Sequence, residues 1–164
     1  HLDDYHKSSQ EVPKLNGIKN WDHPDAIDFD KLYQDIRQLK SGNPVIIMTK
    51  NETYNPNYSK TKNRIPLKVY PAKIIILEGY LSLYDAKIRK LLSSSIYLDT
   101  TPETSTKRST KFLDPLYENS ILNPMHHQYV DPTKQYADKI IDVSDKSIEQ
   151  VLEELEKCLE IFLK

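Results

Sequence analysis

The sequence predicts an α/β domain built on a parallel sheet, and three observations support this fold class. Residues 74–77 are an apolar run without polar alternation, which is typical of a strand that is covered on both faces, and residues 95–98 are predicted to form the next buried strand. Segments with apolar side chains at helical spacing separate such runs. The 164 residues suffice for one domain with a sizeable core.

The beginning of the chain is expected to pass from a strand end through a loop into a helix. Residues 1–7 have the pattern of a strand end, and residues 8–24 form a polar loop that closes at a proline. Asp28 is a suitable N-cap for the helix, and Gly42 is a typical C-terminal stop. The helix is predicted to pack on the core through Phe29, Leu32, Ile36 and Leu39.

A hairpin-like flap is predicted over residues 44–70. Residues 44–48 and 65–70 are short apolar strand candidates, and a long polar loop over 49–64 separates them. Loops of this length in compact domains often serve as lids or binding loops. We therefore expect the flap to contribute to a binding site.

The second half of the chain continues the alternation of strands and helices. Pro102 fits the first turn of one predicted helix, and Ser147 with Gln150 makes a capping box at the start of the last one. In chain order, after the strand at 74–77, we predict a helix over 81–92, a strand over 95–98, a helix over 102–112, a loop over 113–125, a short helix over 125–130, a strand over 138–143 and a helix over 147–163.

The bulk composition excludes several classes of protein. The 23 basic and 24 acidic residues balance, so nothing indicates binding to nucleic acid or to a membrane surface. Cys158 is the single cysteine, which excludes an internal disulfide and fits a reducing cytoplasm. No apolar run approaches the roughly 18 residues of a membrane span, and no signal-peptide pattern is present. We expect a soluble, cytoplasmic protein.

Acidic residues follow the predicted strands, at the edge of a parallel sheet where ligands bind. They are Asp3 or Asp4, Asp22 and Glu78. Two such carboxylates suit Mg²⁺, a hard cation that takes oxygen ligands and keeps several waters. A carboxylate near a hydroxyl group can also accept its proton.

A basic cluster lies at the end of the helix predicted over 102–112. Lys107, Arg108 and Lys111 are neighbours at helical spacing, and like charges so placed favour an anionic partner such as phosphate. The alternative is a solvated helix end that faces its own C-terminal dipole. Acids and cations around a bound phosphate are the set of groups that phosphoryl transfer requires.

Three segments resemble hallmarks of the uridine kinase, phosphoribulokinase and nicotinamide riboside kinase branch of the P-loop kinases. They are residues 20–30 (Asn-Trp-Asp-His-Pro-Asp-Ala-Ile-Asp-Phe-Asp), 75–79 with 83–85, and 132–138 (Pro-Thr-Lys-Gln-Tyr-Ala-Asp). Their order and spacing agree over nearly the whole chain. The resemblance implies a three-layer α/β/α P-loop kinase-like fold in a single domain over 1–164, with the flap and a lid over 105–130.

The resemblance also implies an activity, the phosphorylation of the 5′-hydroxyl of a ribonucleoside with ATP and Mg²⁺. Asp3 matches the catalytic acid that approaches the hydroxyl, and Asp22 matches the acid that binds the ribose hydroxyls. Glu78 matches an acid at the magnesium and phosphate end, where Asp3 is the second expected ligand. A carboxylate on two vicinal hydroxyls would favour ribose over deoxyribose. Further substrate contacts are expected from Tyr5, His6, Tyr58 and Arg64.

The sequence departs from the family in its phosphate loop, its base-contacting segment and its lid. The chain has three glycines and no glycine-rich phosphate loop, and its start at His1 without methionine suggests that an N-terminal piece is missing. The base-contacting segment is only hinted at by Tyr58 and Arg64, and His6 replaces an aromatic residue. Residues 107–111 resemble the lid of nicotinamide riboside kinases more closely than that of uridine kinases.

Two alternatives therefore stay open. One is a kinase-like protein that binds ribosides without catalysing transfer. The other is a kinase for nicotinamide riboside or another small metabolite, which would share the mechanism and differ in the acceptor. Members of the family often form oligomers, so a homo-oligomer is one expectation, although no residue pattern here specifies an interface.

Overall fold

The computed structural model describes residues 1–108 and 114–162. Across these ranges the strands are β1 (Lys14–Leu15), β2 (Ile18–Lys19), β3 (Val45–Thr49), β4 (Ile65–Val69), β5 (Ile96–Asp99) and β6 (Lys139–Asp142). The α-helices are α1 (Phe29–Lys40), α2 (Tyr58–Thr61), α3 (Ala86–Arg89), α4 (Pro102–Arg108), α5 (Pro115–Tyr117), α6 (Asn123–Met125) and α7 (Ile148–Phe162). Further 3₁₀ or π turns span Leu2–Tyr5, Pro24–Ala26, Glu118–Leu122, His126–Val130 and Asp131–Tyr136.

A parallel strand pair confirms the predicted α/β class. Strands β5 and β6 run side by side, with Ile96 opposite Lys139 and Asp99 opposite Asp142. Helix α7 packs against this pair, and the predicted capping box forms, since the Ser147 amide donates to Gln150 Oε1 at 2.8 Å. The core at this end is Ile141, Val143 and the buried Cys158, with Ile96, Val151 and Leu155 around them.

The predicted flap is also present as an antiparallel hairpin. Strand β3 pairs with β4 from Val45 opposite Val69 to Thr49 opposite Ile65. The loop between the strands contains α2 and is held by the buried Asn55, whose amide donates to the carbonyls of Thr49 and Asn63 at 3.3 and 2.9 Å. The flap is therefore an ordered element rather than a loose loop.

Helix α1 forms where the sequence predicts it and covers the larger core. Asp28 Oδ1 accepts from the Lys31 amide at 2.9 Å, as expected of an N-cap. Gly42 adopts a φ of +86°, the left-handed conformation that ends a helix. Leu32 and Ile36 of the helix are buried in this core together with Leu2, Ile27, Leu81, Ile88 and Val130.

The prediction of a strand end over residues 1–7 is wrong, because the chain makes a 3₁₀ turn at Leu2–Tyr5. A strand needs a row of hydrogen-bond partners. The Leu2 amide does reach Glu78, donating to its carbonyl at 2.9 Å, but the Asp4 amide bonds back to the carbonyl of His1 at 3.2 Å.

The prediction of a buried strand over 74–77 is wrong as well. No strand pairs with these residues within 1–108 and 114–162, and the side chains of Ile74, Ile75 and Ile76 are 43, 41 and 71 % exposed. Apolar β-branched residues favour a strand only where neighbours cover and pair with them. The described part of the chain supplies no such neighbour here.

Smaller corrections concern the loops. Residues 8–24 contain the β1–β2 hairpin, whose Asn16-Gly17 turn has φ angles of +52° and +81°; this pair is a strong turn signal that our sequence analysis missed. The helix predicted over 81–92 is shortened to α3, and the loop predicted over 113–125 is helical from Pro115 onward. Of the helix predicted over 102–112, residues 109–112 lie outside the described ranges. Among the helices described, none has the length and apolar character needed to span a membrane.

Candidate active site

A cleft of about 530 Å³ opens beside the 3₁₀ turn at Leu2–Tyr5, and its size suits a small molecule. Four segments that are distant in sequence contribute to it: the N-terminal turn, the turn before Pro24, the end of β3 and the segment that follows the apolar run 74–77. The cleft is lined by His1, Asp3, His6, Trp21, Asp22, Lys50, Glu78, Gly79 and Tyr80. It thus brings together four of the predicted site residues, which are Asp3, His6, Asp22 and Glu78.

Asp3 and Asp4 have opposite orientations, although they are adjacent in sequence. The Asp4 carboxylate points inward and is 6 % exposed. It accepts hydrogen bonds from the Thr49 hydroxyl at 3.1 Å and from the Lys50 amide at 2.9 Å. Asp3 instead faces the cleft, with 48 % of its side chain exposed. Asp4 therefore joins the N-terminal turn to the flap, while Asp3 lies in the cleft.

Lys50 is a residue of the cleft that sequence analysis missed. Its ammonium lies 3.1 Å from Asp3 Oδ2, and about a quarter of its side chain is exposed. Lys50 directly follows β3, so the position after a predicted strand was the signal available in the sequence. It adds a positive charge to a cleft whose lining includes the carboxylates of Asp3, Asp22 and Glu78.

Asp22 is held by aromatic residues. Its Oδ2 accepts from the Tyr117 hydroxyl at 2.6 Å, and the Trp21 amide donates to that hydroxyl at 3.2 Å. The Tyr80 hydroxyl donates to the Trp21 carbonyl at 3.2 Å. Burial, followed by the hydrogen bond and charge of Asp22, raises the pKa of Tyr117, and burial followed by the charge of Asp22 raises that of Tyr80. Both phenols therefore stay protonated at neutral pH.

His6 is a buried residue of the cleft lining. Its two ring nitrogens lie 3.2 Å from the carbonyls of Asp3 and Trp21, and its ring meets the Trp21 ring edge-on at 5.7 Å. These contacts tie the Leu2–Tyr5 turn to the turn that carries Asp22. His6 therefore links the backbone of the two segments that carry Asp3 and Asp22.

Glu78 stands at the other end of the cleft. Its carboxylate pairs with the His1 ring, and the second nitrogen of that ring lies 2.6 Å from the Asn51 amide group. Gly79 adopts a φ of +143°, and a Cβ added there would lie 2.4 Å from Leu2 Cβ. Glycine therefore allows the Leu2 side chain to pack directly against the backbone at position 79.

The donor set of the cleft fits a magnesium ion. Asp3 and Glu78 both line the cleft and supply two carboxylates, and Mg²⁺ is usually held by one or two carboxylates, with waters and substrate phosphates as the other ligands. Among residues 1–108 and 114–162, no group of three or more His, Cys, Asp or Glu side chains could hold a metal ion without such help. A metal here would depend on the phosphate it accompanies.

The remaining predicted residues lie outside this cleft. The Tyr5 hydroxyl donates to Asp35 Oδ2 at 3.1 Å, and Arg64 donates to the carbonyls of Asp4 and His6 at 3.1 and 2.8 Å. Tyr58 lies on α2, with the Lys62 ammonium 5.8 Å from its ring centre. Their roles as substrate contacts stay predictions.

The basic cluster also lies apart from the cleft in the described residues. The Arg108 guanidinium donates to the carbonyls of Val143, Ser144 and Lys146 at 2.7 to 3.0 Å. Lys107 is exposed, and Lys111 lies outside the described ranges. Phosphate binding by this cluster stays a prediction.

Comparison with known proteins agrees with the motifs in residues 20–30 and 75–79. A family model described as "Phosphoribulokinase / Uridine kinase family" matches residues 1–110. The chain belongs to this family. The chain is 34 % identical to a uridine kinase of Streptococcus gordonii, over 96 % of this chain and 79 % of that protein. Uridine kinases of Cronobacter sakazakii and Lactobacillus helveticus are each 32 % identical, over 88 and 96 % of this chain and 71 and 79 % of theirs.

Membership of the family confirms the resemblance seen in the sequence. It identifies the chain as a phosphotransferase, and the parallel strand pair with its helices is consistent with a P-loop kinase-like fold.

Proposed function

We propose that this protein phosphorylates the 5′-hydroxyl of a ribonucleoside of the uridine or cytidine type, with ATP as donor and Mg²⁺ as cofactor. The observation that carries the proposal is the cleft that Asp3, Asp22 and Glu78 line together. Uridine is the acceptor in the names of the similar proteins. The cleft volume of about 530 Å³ is sufficient for a nucleoside.

In this proposal Asp22 and Asp3 have different tasks towards the nucleoside. Asp22 accepts hydrogen bonds from the ribose hydroxyls and so orients the sugar. Asp3 accepts the proton of the 5′-hydroxyl as the 5′-oxygen attacks the γ-phosphorus of ATP. The bond between that phosphorus and the β–γ bridging oxygen breaks, which yields a nucleoside 5′-monophosphate and ADP.

The other residues position these carboxylates or balance charge. His6 and Trp21 link the two turns that carry Asp3 and Asp22. Glu78 and Asp3 would hold Mg²⁺, which supplies charge neutralisation to the phosphates when bound. Lys107, Arg108 and Lys111 would stabilise charge on the transferred group from the lid, which we place at residues 105–130. We further propose one catalytic domain over 1–164, with the flap at 44–70 on the nucleoside side, acting in the cytoplasm.

A screen with radiolabelled ATP tests the proposal. The acceptors are uridine, cytidine, nicotinamide riboside and a sugar phosphate, and the variant Asp3→Asn is the control for the catalytic carboxylate. We expect label to be transferred to a pyrimidine ribonucleoside by the wild type and not by Asp3→Asn. Transfer only to nicotinamide riboside or to a sugar phosphate would contradict the proposed acceptor.

A second candidate function is riboside binding without catalysis. It is favoured by the partners that the carboxylates already have, since Asp3 pairs with Lys50 and Asp22 with Tyr117. Trp21 is the only tryptophan of the chain and lines the cleft. A uridine-dependent change in its fluorescence, without transfer of label from ATP, would support binding alone.

A further inference from the structure

Tyr117 is hydrogen-bonded to Asp22, the carboxylate that we propose to bind the sugar. Its hydroxyl donates to Asp22 Oδ2 at 2.6 Å, which is the distance of a strong, charge-assisted hydrogen bond. The same hydroxyl accepts from the Trp21 amide at 3.2 Å. Two bonds of opposite direction thus fix the phenol over one oxygen of Asp22.

The position of Tyr117 is determined by the helical segment to which it belongs, from the cap at Asp114 to the buried residues that follow. Asp114 caps α5 by accepting from the Leu116 amide at 3.0 Å. Ile121, in the next turn of the helical segment, is fully buried, and Met125 further on is buried as well. Because this segment is anchored in the core, the contact between Tyr117 and Asp22 is a built feature of the folded chain.

We infer that Tyr117 is a specificity-determining residue that competes with the sugar hydroxyls for Asp22. The inference rests on the proposed function. A carboxylate binds two vicinal hydroxyls best when each hydroxyl has its own oxygen. With the phenol on Oδ2, a ribonucleoside must displace it or use a single oxygen. Tyr117 therefore lowers the affinity for ribosides and narrows the preference for ribose over 2-deoxyribose.

The substitution Tyr117→Phe tests the inference, since it keeps the ring and removes only the competing hydroxyl. Binding of uridine and of 2′-deoxyuridine is measured through the fluorescence of Trp21. We expect uridine to bind about tenfold more tightly to the variant, because a ligand hydroxyl regains a charged acceptor. The gain in affinity for 2′-deoxyuridine should be smaller. The dissociation constant of 2′-deoxyuridine divided by that of uridine should therefore be larger for the variant than for the wild type. Tyr70→Phe, on the exposed surface outside the cleft, is the matched control.

A double-mutant cycle with Asp22→Asn separates competition from a general effect on the fold. If Tyr117 acts through Asp22, Tyr117→Phe should change uridine affinity much less in the Asp22→Asn background than in the wild type. Amide hydrogen exchange offers a ligand-free readout, since the Trp21 amide should exchange faster once its acceptor is removed.

The outcomes distinguish this inference from the proposed function. Equal or weaker uridine binding by Tyr117→Phe, an unchanged ratio between the two nucleosides, or effects that add in the double-mutant cycle would each overturn the role of Tyr117. If neither the wild type nor the variant binds any riboside, the proposed function fails, and the inference fails with it.

Discussion

Because the carboxylate of Asp4 is buried, we expect the fold to lose much of its stability when this side chain is truncated. The same change at the half-exposed Asp3 should have little effect on stability. Asp4→Ala removes the acceptor of the Thr49 hydroxyl and of the Lys50 amide, and Thr49 has no exposed surface. Hydrogen bonds to a charged acceptor contribute about 1.5–3 kcal/mol each. The variant no longer has to bury a charged carboxylate, and this gain offsets part of the free energy lost with the two hydrogen bonds. We expect a net loss of about 3 kcal/mol.

Urea unfolding, followed by circular dichroism, measures this loss directly. For a domain of this size the same change should lower Tm by about 6–12 °C. Asp4→Asn should cost roughly 1 kcal/mol, because its amide oxygen can still accept from the Lys50 amide and the Thr49 hydroxyl can turn to accept from its amide group.

Asp3→Asn is the matched control for the Asp4 variants. It loses a half-exposed pair with Lys50, so its stability should change by less than about 1 kcal/mol while phosphoryl transfer is abolished. Our reasoning would be refuted if Asp4→Ala unfolded at the same urea concentration as the wild type. It would also be refuted if Asp3→Asn were the more destabilising substitution.

Three further predictions follow from the cleft and its surroundings. Asp22→Ala should raise the KM for a ribonucleoside by roughly 10–150-fold through the loss of charged hydrogen bonds; steady-state kinetics would contradict the assignment if KM were unchanged. Gly79→Ala should cost at least about 1–3 kcal/mol in urea unfolding, because of its positive φ and the contact with Leu2, and wild-type stability would disprove the tight contact. The raised pKa values of Tyr5, Tyr80 and Tyr117 stabilise the fold below the ordinary tyrosine pKa of 10.0, and this stability should be lost as the pH rises above it. Absorbance titration at alkaline pH should find these tyrosines ionising after the exposed ones, and simultaneous ionisation in the folded protein would contradict this.

The candidate site could be predicted in part because its motifs are local. Asp22 lies in a turn whose geometry follows from Pro24, and Gly79 follows Glu78 in sequence, so residue order alone indicates both acids as site candidates. Lys50 and Tyr117 could not be found in this way. Lys50 reaches the cleft, and Tyr117 reaches Asp22, only because the flap and the α5 segment fold back onto distant parts of the chain, and neither residue belongs to a recognisable motif.

The sequence by itself determined the elements whose formation depends on nearby residues. Helix α1 follows from its cap at Asp28 and its apolar stripe, α7 from its capping box, and the flap from two apolar runs around a polar loop. The family also follows from sequence, because its motifs are contiguous segments.

The family resemblance selected Asp3, but only the tertiary structure showed how the two adjacent acids differ and where the apolar run lies. Asp3 faces the cleft and Asp4 is buried because the Leu2–Tyr5 turn directs Asp4 towards the flap. Residues 74–77 have the composition of a strand but form none, since no described strand lies beside them to accept their hydrogen bonds. Pairing and burial depend on distant segments, and local composition does not contain that information.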